Sequence, residues 1–294
     1  MSDAPSILIV NADDFGFRRS IDRAIVRAAD HGIVTSASVI PTGDAVGGVT
    51  RLGDAGVGIG VHLTVVGGGA PLLPASEVPT LVDRDGHFPR TWRALVARGM
   101  RGSLDAADLD REWSAQIEAV RARGVTITHL DTHQNVHLWP SIGDVTVSLA
   151  RRFGIGVVRV PRTARRGPFA SGVRYLTRNL VRRAGEAGLG VTGASAGLDE
   201  AGTMHGRTLE RAISRLACSQ AAVVDLICHP GEGGDDVLAD LDWGFEWQAE
   251  TEALCDPATR RAVEGAGLTL GTYAALASGP TASPSTPVRP STRS

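Results

Sequence analysis

The chain sets carboxylates and imidazoles at the ends of apolar runs. Asp13 and Asp14 follow the run 7–12, and His62 lies in Gly60-Val61-His62-Leu63 within the run 57–65. His133 and His137 follow the run 126–132, and His229 closes the run 223–228 in Cys228-His229-Pro230-Gly231. In parallel α/β sheets the C-terminal strand ends are where sites assemble from distant parts of a chain. One carboxylate with two imidazoles is a facial set for a divalent ion that leaves positions open for water and substrate. A second carboxylate beside it can accept a proton from the attacking water, which is the equipment of metal-assisted hydrolysis.

Other readings of the same residues stand beside this one. Asp13-Asp14 also fits a solvated turn, and His62 also fits a hydrogen-bonded histidine in an apolar strand. The segment His129-Leu130-Asp131-Thr132-His133-Gln134-Asn135-Val136-His137 is more pointed, because its polar and ligand-type residues alternate with the others. In an extended chain they share one face, where a buried strand should be apolar. His229 reads as a general acid for a leaving amine or as a strand-capping histidine. Arg159, in Arg159-Val160-Pro161, either orients a carboxylate of the site or ends a strand.

The elements that must position these residues alternate regularly. Strands are expected at 7–12, 33–40, 57–65, 126–132, 157–160, 223–228 and 268–273, with helices near 21–29, 106–123, 141–153, 174–187, 209–217 and 245–254. Gly32 is expected as a left-handed cap of the first helix. About seven strands with interposed helices give an α/β fold that is a barrel or barrel-like sheet, one domain over residues 1–277. Residues 67–102, rich in Gly and Pro, read as an irregular, substrate-facing excursion. Residues 278–294, almost all Ser, Thr, Pro and Arg, read as a disordered tail.

Composition removes several classes of function. With 43% hydrophobic and 21% charged residues, the 294-residue chain has the balance of a soluble globular protein. A net charge of -2, with basic residues scattered among acidic ones, argues against nucleic acid as partner. No apolar run reaches the ~20 residues of a membrane span, and the first residues lack the layout of a signal peptide, so a cytoplasmic location is expected. Every basic residue except histidine is arginine, which excludes Schiff-base lysine chemistry and a Walker A lysine. Cys218, Cys228 and Cys255 form no C-x-x-C and read as small core residues. Nothing in the sequence opposes a homodimer.

Five segments occur together in a familiar order: Asn11-Ala12-Asp13-Asp14-Phe15-Gly16, Gly32-Ile33-Val34-Thr35-Ser36, Gly60-Val61-His62-Leu63, Thr128-His129-Leu130-Asp131-Thr132-His133 and Cys228-His229-Pro230-Gly231. In this the chain resembles the YdjC-like carbohydrate deacetylases, which include chitooligosaccharide deacetylase and the hopanoid-biosynthesis-associated HpnK proteins. The likeness runs over residues 6–276. It implies a distorted (β/α) barrel related to polysaccharide deacetylases, one divalent ion, and removal of acetyl from an N-acetylated sugar. By position it implies Asp14, His62 and His133 as metal ligands, Asp13 as base and His229 as acid; Arg159, Asp131 and His137 are read from their own placement as binding substrate or supporting the site. Zinc or magnesium suits these ligands best, and manganese, cobalt or nickel is allowed. One departure is Asn135, where family members often carry histidine. The competing functions are a metal-dependent esterase or amidase acting on a non-sugar acyl group, and a non-catalytic sugar- or metal-binding protein on the same fold.

Overall fold

The computed structural model describes residues 6–43, 46–239, 241 and 243–277. Its centre is one parallel sheet of strands β1 (Ser6–Phe15), β2 (Ser36–Val39), β3 (Gly58–Leu63), β4 (Ile127–Thr132), β5 (Ala194–Ala196), β6 (Val223–Cys228) and β7 (Leu268–Gly271). Their order is β4-β3-β2-β1-β6-β5, and β7 pairs with the first half of β1 through Ser6 to Ile9, below the β2 pairing that begins at Asn11. The expected strand at 157–160 is reduced to single bridges, Val158 to Leu130 of β4 and Val157 to Gly190. Those bridges tie the segment 157–160 to the β4 edge and to Gly190, which precedes β5, and the parallel sheet curls as a half-barrel with helices packed on it. The expected α/β barrel class is thus what the chain adopts.

Alternation along the strands separates two interiors. Leu8, Val10 and Ala12 of β1, Ile59, Val61 and Leu63 of β3, and Leu226 and Cys228 of β6 join one large apolar cluster with the helices. The opposite faces carry Asn11, Asp13, Ser38, His62, His129, Asp131 and Asp225, all buried. Below this polar layer a small apolar plug of Ile9, Val157 and Tyr273 closes the barrel. Gly60 makes room in the polar layer, since a Cβ there would lie 2.3 Å from the ring of His129, its register partner on β4.

The first helix, Arg19–His31, buries Ile21, Ala24, Ile25 and Ala28 at helical spacing. Gly32 does not adopt the expected left-handed cap: its φ is -118°. Glycine is needed there for close approach, because a Cβ would meet the Leu254 carbonyl oxygen at 2.3 Å. The excursion 67–102 is less irregular than expected, since it holds the helix Trp92–Met100 capped by the Thr91 side chain. It is pinned to the helix Ala106–Arg121 by a buried polar stripe. Glu112 accepts from the Leu72 and Leu73 amides, Asp108 from the amide and hydroxyl of Thr80, and Gln116 clasps the backbone of Thr64.

Of the cysteines, Cys228 is buried, Cys255 half-buried and Cys218 exposed at a helix end, so the core reading holds for the first and fails for Cys218. Residues 278–294, expected as a tail, lie outside the described residues. Among the described residues no helix is long and apolar enough to cross a membrane.

Candidate active site and metal centre

Adjacent residues of a regular strand point to opposite faces, yet Asp13 and Asp14 both reach the same site. The cause is a break in the β1–β2 register between Ala12 and Phe15, with Asp14 in the left-handed region at φ 71°. A bulge of this kind re-aims a side chain at a strand end, and left-handed backbone in an aspartate is a local strain tolerated at functional positions.

Asp14 Oδ1 lies 3.5 Å from His62 Nε2 and 3.2 Å from His133 Nδ1. Ligand-type atoms of these three buried residues lie within 4.8 Å of one another. Asp14 Oδ1 is buried and has no hydrogen-bond partner, which is costly unless a cation meets it. Burial alone would raise the Asp14 carboxyl, but His133, His62 and His229 outweigh it and hold it well below the usual carboxylate range. Burial likewise pushes His62 down, but the carboxylates of Asp131, Asp13 and Asp14 prevail and lift it to about 9. The cluster therefore favours a positive charge at its centre, and one carboxylate oxygen with two imidazole nitrogens fits a divalent ion.

A second trio, Asp13, His62 and Asp131, also has close ligand atoms. Its carboxylates are already engaged. Arg159, fully buried, donates to both oxygens of Asp13, at 2.7 Å for Oδ2, and sits 2.9 Å from Asp131 Oδ2. Asn11 donates to Asp13 at 2.7 Å and to Ser38 at 2.9 Å, and Ser38 donates to Asp131 at 2.6 Å. Asp131, held below the usual range by Arg159 and His62 against its burial, bonds His62 Nδ1 at 2.7 Å. That contact follows from the β3–β4 register, which sets His62 opposite Asp131. It fixes the imidazole with Nε2 toward Asp14, the usual support of a metal-bound histidine.

His229 follows β6, which runs in unbroken register with β1 from Val223 to Cys228. Its Nε2 is 4.0 Å from Asp13 Oδ2, and its Nδ1 is buried without a partner. A cavity of about 340 Å³ opens over Asp13, Asp14, His62, His133 and His229. Trp92, Trp243 and Phe245 wall it, with Trp243 5.6 Å from the His133 ring and Phe245 4.8 Å from that of His229.

The face expected to run through His129, Asp131, His133, Asn135 and His137 does not exist as one face. β4 ends at Thr132, and Gln134 and Asn135 adopt left-handed backbone inside a tight turn. His133 is turned into the cavity, whereas His137 is buried outside it. There it bonds the Thr132 hydroxyl at 2.6 Å and the Arg159 carbonyl at 2.8 Å, and burial pushes it down to about 4. His137 braces Arg159 and does not face the cavity. His129 is similarly internal, beside Ser38 and Tyr273, and burial lowers it to about 4.

Sequence reasoning missed Asn11 and Ser38, which read as ordinary strand residues, and Glu250. Glu250 is fully buried; it accepts from the amides of His229 at 2.6 Å and Met204 at 2.8 Å. Burial raises its carboxyl against the pull of His229. The signal was present, since Glu250 shares the buried face of its helix with Trp247, Thr251 and Leu254.

Known proteins are similar to this chain in sequence and in fold. A carbohydrate deacetylase of Geobacillus stearothermophilus is 37% identical over 163 residues, a match covering 55% of this chain and 62% of that protein. One from Enterococcus faecalis is 28% identical over 279 residues, covering 92% of this chain and 98% of that one. The crystal structure of a cellobiose-phosphate cleavage protein from Enterococcus faecalis superposes with a TM-score of 0.73 at 25% identity, covering 93% of this chain and 99% of that one. The YdjC-like protein family matches residues 7–265, from the first strand through the last helix, so the bulged carboxylates, the His62 strand and the His229 loop all lie inside the match, and the chain belongs to that family.

Proposed function

We propose that the protein is a metal-dependent hydrolase that removes the acetyl group from an N-acetylated sugar. The observation that carries the metal is the Asp14, His62 and His133 cluster around a buried, unpartnered carboxylate oxygen. The curated relatives named carbohydrate deacetylase support the bond and the substrate class. A cavity of about 340 Å³ suits one sugar unit, within the range of ~300–1,000 Å³ usual for small-molecule sites.

Asp14, His62 and His133 would hold the ion, which when bound polarises the acetyl carbonyl and lowers the pKa of water. Asp13 is the base, since its Oδ2 faces the cavity between His62 and His229 while Arg159 fixes both its oxygens. Arg159 holds the Asp131 carboxyl below the usual range against its burial and, through its bonds to both Asp13 oxygens, restrains the base to one orientation. His229, with its Nε2 4.0 Å from Asp13 Oδ2, donates the proton the amine needs to leave. Glu250 holds the His229 backbone, and the aromatic walls exclude water from the cavity mouth.

Acetate release from N-acetylglucosamine oligomers, run beside simple acetyl esters after metal reconstitution, tests this reading. Release from the sugars that His62→Ala abolishes is the expected result. Hydrolysis of the esters alone would make the protein an esterase.

A further inference from the structure

A second cavity, of about 520 Å³, adjoins the first and shares Trp92, Gln134, Asn135 and Leu198 with it. It lies between the helix Trp92–Met100 and the helix Pro168–Glu186, and its walls are apolar, formed by Val96, Leu138, Trp139, Phe169, Val173 and Leu176. Phe169 is 72% exposed at its rim, an aromatic ring left in water beside a continuous apolar surface.

Apart from Asn135, the polar side chains around this cavity are largely engaged within the protein. Gln134 accepts from the Trp92 amide at 2.7 Å and donates to the Arg90 carbonyl at 3.0 Å. The Thr163 hydroxyl donates to Asp199 at 2.8 Å, and Asp199 also takes the Ala164 amide at 2.6 Å. Arg165 donates to the Asp199 carbonyl at 2.8 Å, and the Arg93 guanidinium lies 4.7 Å over the Trp92 ring. A second sugar would bring several hydroxyls that need partners, and this surface has few to give. An apolar group asks for none.

At the junction of the two cavities stands Asn135, with left-handed backbone at φ 53° and a buried Oδ1 that has no partner. It marks where a polar ligand with donors gives way to an apolar one. We infer that the second cavity is a subsite for an apolar substituent, a hydrocarbon or aromatic group, carried by the acetylated sugar whose acetyl end reaches the metal centre. This rests on the deacetylase reading for the identity of the sugar but not for the existence of the subsite.

The test compares octyl and methyl N-acetyl-β-glucosaminide as substrates of the metal-loaded protein. Burial of several methylenes at about fourfold each predicts kcat/KM on the order of a hundredfold higher for the octyl glycoside. Val173→Asp should remove most of that gain and leave the methyl glycoside unaffected. Phe169→Ser, at an exposed position where folding is not at stake, should reduce it in the same direction. Octyl glucoside, which has no acetyl group, is titrated below its micelle concentration against emission from Trp92 and Trp139. A saturable change, absent with methyl glucoside and weakened in both variants, is expected. Equal kcat/KM for the two substrates, an octyl gain that both variants keep, or no saturable change would each overturn the subsite. If neither substrate releases acetate, the deacetylase reading fails, and the titration alone decides the subsite.

Discussion

At the scale of single residues the division of labour between Asp13 and Asp14 rests on what already holds their oxygens. Both Asp13 oxygens accept from Arg159, whereas Asp14 Oδ1 makes no hydrogen bond and has the imidazole nitrogens of His62 and His133 within 3.5 Å. Asp14→Asn should therefore weaken metal binding by at least tenfold, and Asp13→Asn should retain the ion while turnover falls by ~10²–10⁴-fold, the usual worth of a general base. Calorimetric titration with the metal beside acetate release separates the two; the reverse order would exchange the roles. Arg159→Met should cost about 3–5 kcal/mol in urea unfolding, because it leaves Asp13 and Asp131 buried without their counter-charge. His229→Ala should slow an unactivated N-acetyl sugar far more than an acetyl ester with an acidic phenol as leaving group, since only the amine needs a proton to depart. Equal losses in kcat/KM would remove His229 as the acid.

At the scale of elements, strand ends and register do most of the positioning, and this is also what the sequence made legible. Apolar runs closing in Asp14, His62, His133 and His229 are brought together as a candidate site, and the run 223–228 matches β6 to the residue. Legibility failed where backbone geometry broke a period. The bulge that turns Asp13 and Asp14 to one site, and the left-handed pair Gln134 and Asn135 that splits the histidine series, leave no periodic trace. The helix Trp92–Met100 is short, and its only fully buried side chain is Leu95, so it gave little amphipathic signal. The helix face that Glu250 shares with Trp247, Thr251 and Leu254 marks it as buried, but its role stays out of reach of the sequence because the amides it accepts from come from elsewhere in the chain. Glu250→Ala should leave those amides unpaired at about 1–3 kcal/mol apiece, and it should reduce turnover through His229. Asp22, at the start of the first helix, accepts the Gly16 amide at 2.6 Å, yet burial lifts its carboxyl to about 6 against that bond and Arg23. The folded state thus holds this proton more tightly than the unfolded chain does, so the Asp22 contribution to stability falls as pH rises from about 4 to about 6. Asp22→Asn, which keeps an acceptor for Gly16, should raise Tm at pH 8 relative to the parent and do so much less at pH 4. A gain that does not change with pH would contradict this.

At the scale of the whole molecule, the barrel spends its interior on a charged network where an apolar filling would pack as well. Asn11, Asp13, Ser38, His62, Asp131 and Arg159 interlock across β1 to β4 and the bridging segment, and the apolar plug below them is small. Buried ion pairs of this kind add little net stability, and this one orients Asp13 and His62 beside the Asp14 cluster. A divalent ion at a hundred times its Kd should therefore stabilise the folded protein by about 2.7 kcal/mol, seen as a rise in Tm that His133→Ala abolishes. The central claim meets its most direct test in acetate release from N-acetylglucosamine oligomers by the metal-loaded protein, the chelated protein and His62→Ala. Release by the loaded parent, lost on chelation, restored by the ion and absent from His62→Ala, is the predicted result. Undiminished release from the chelated protein or from His62→Ala would contradict it.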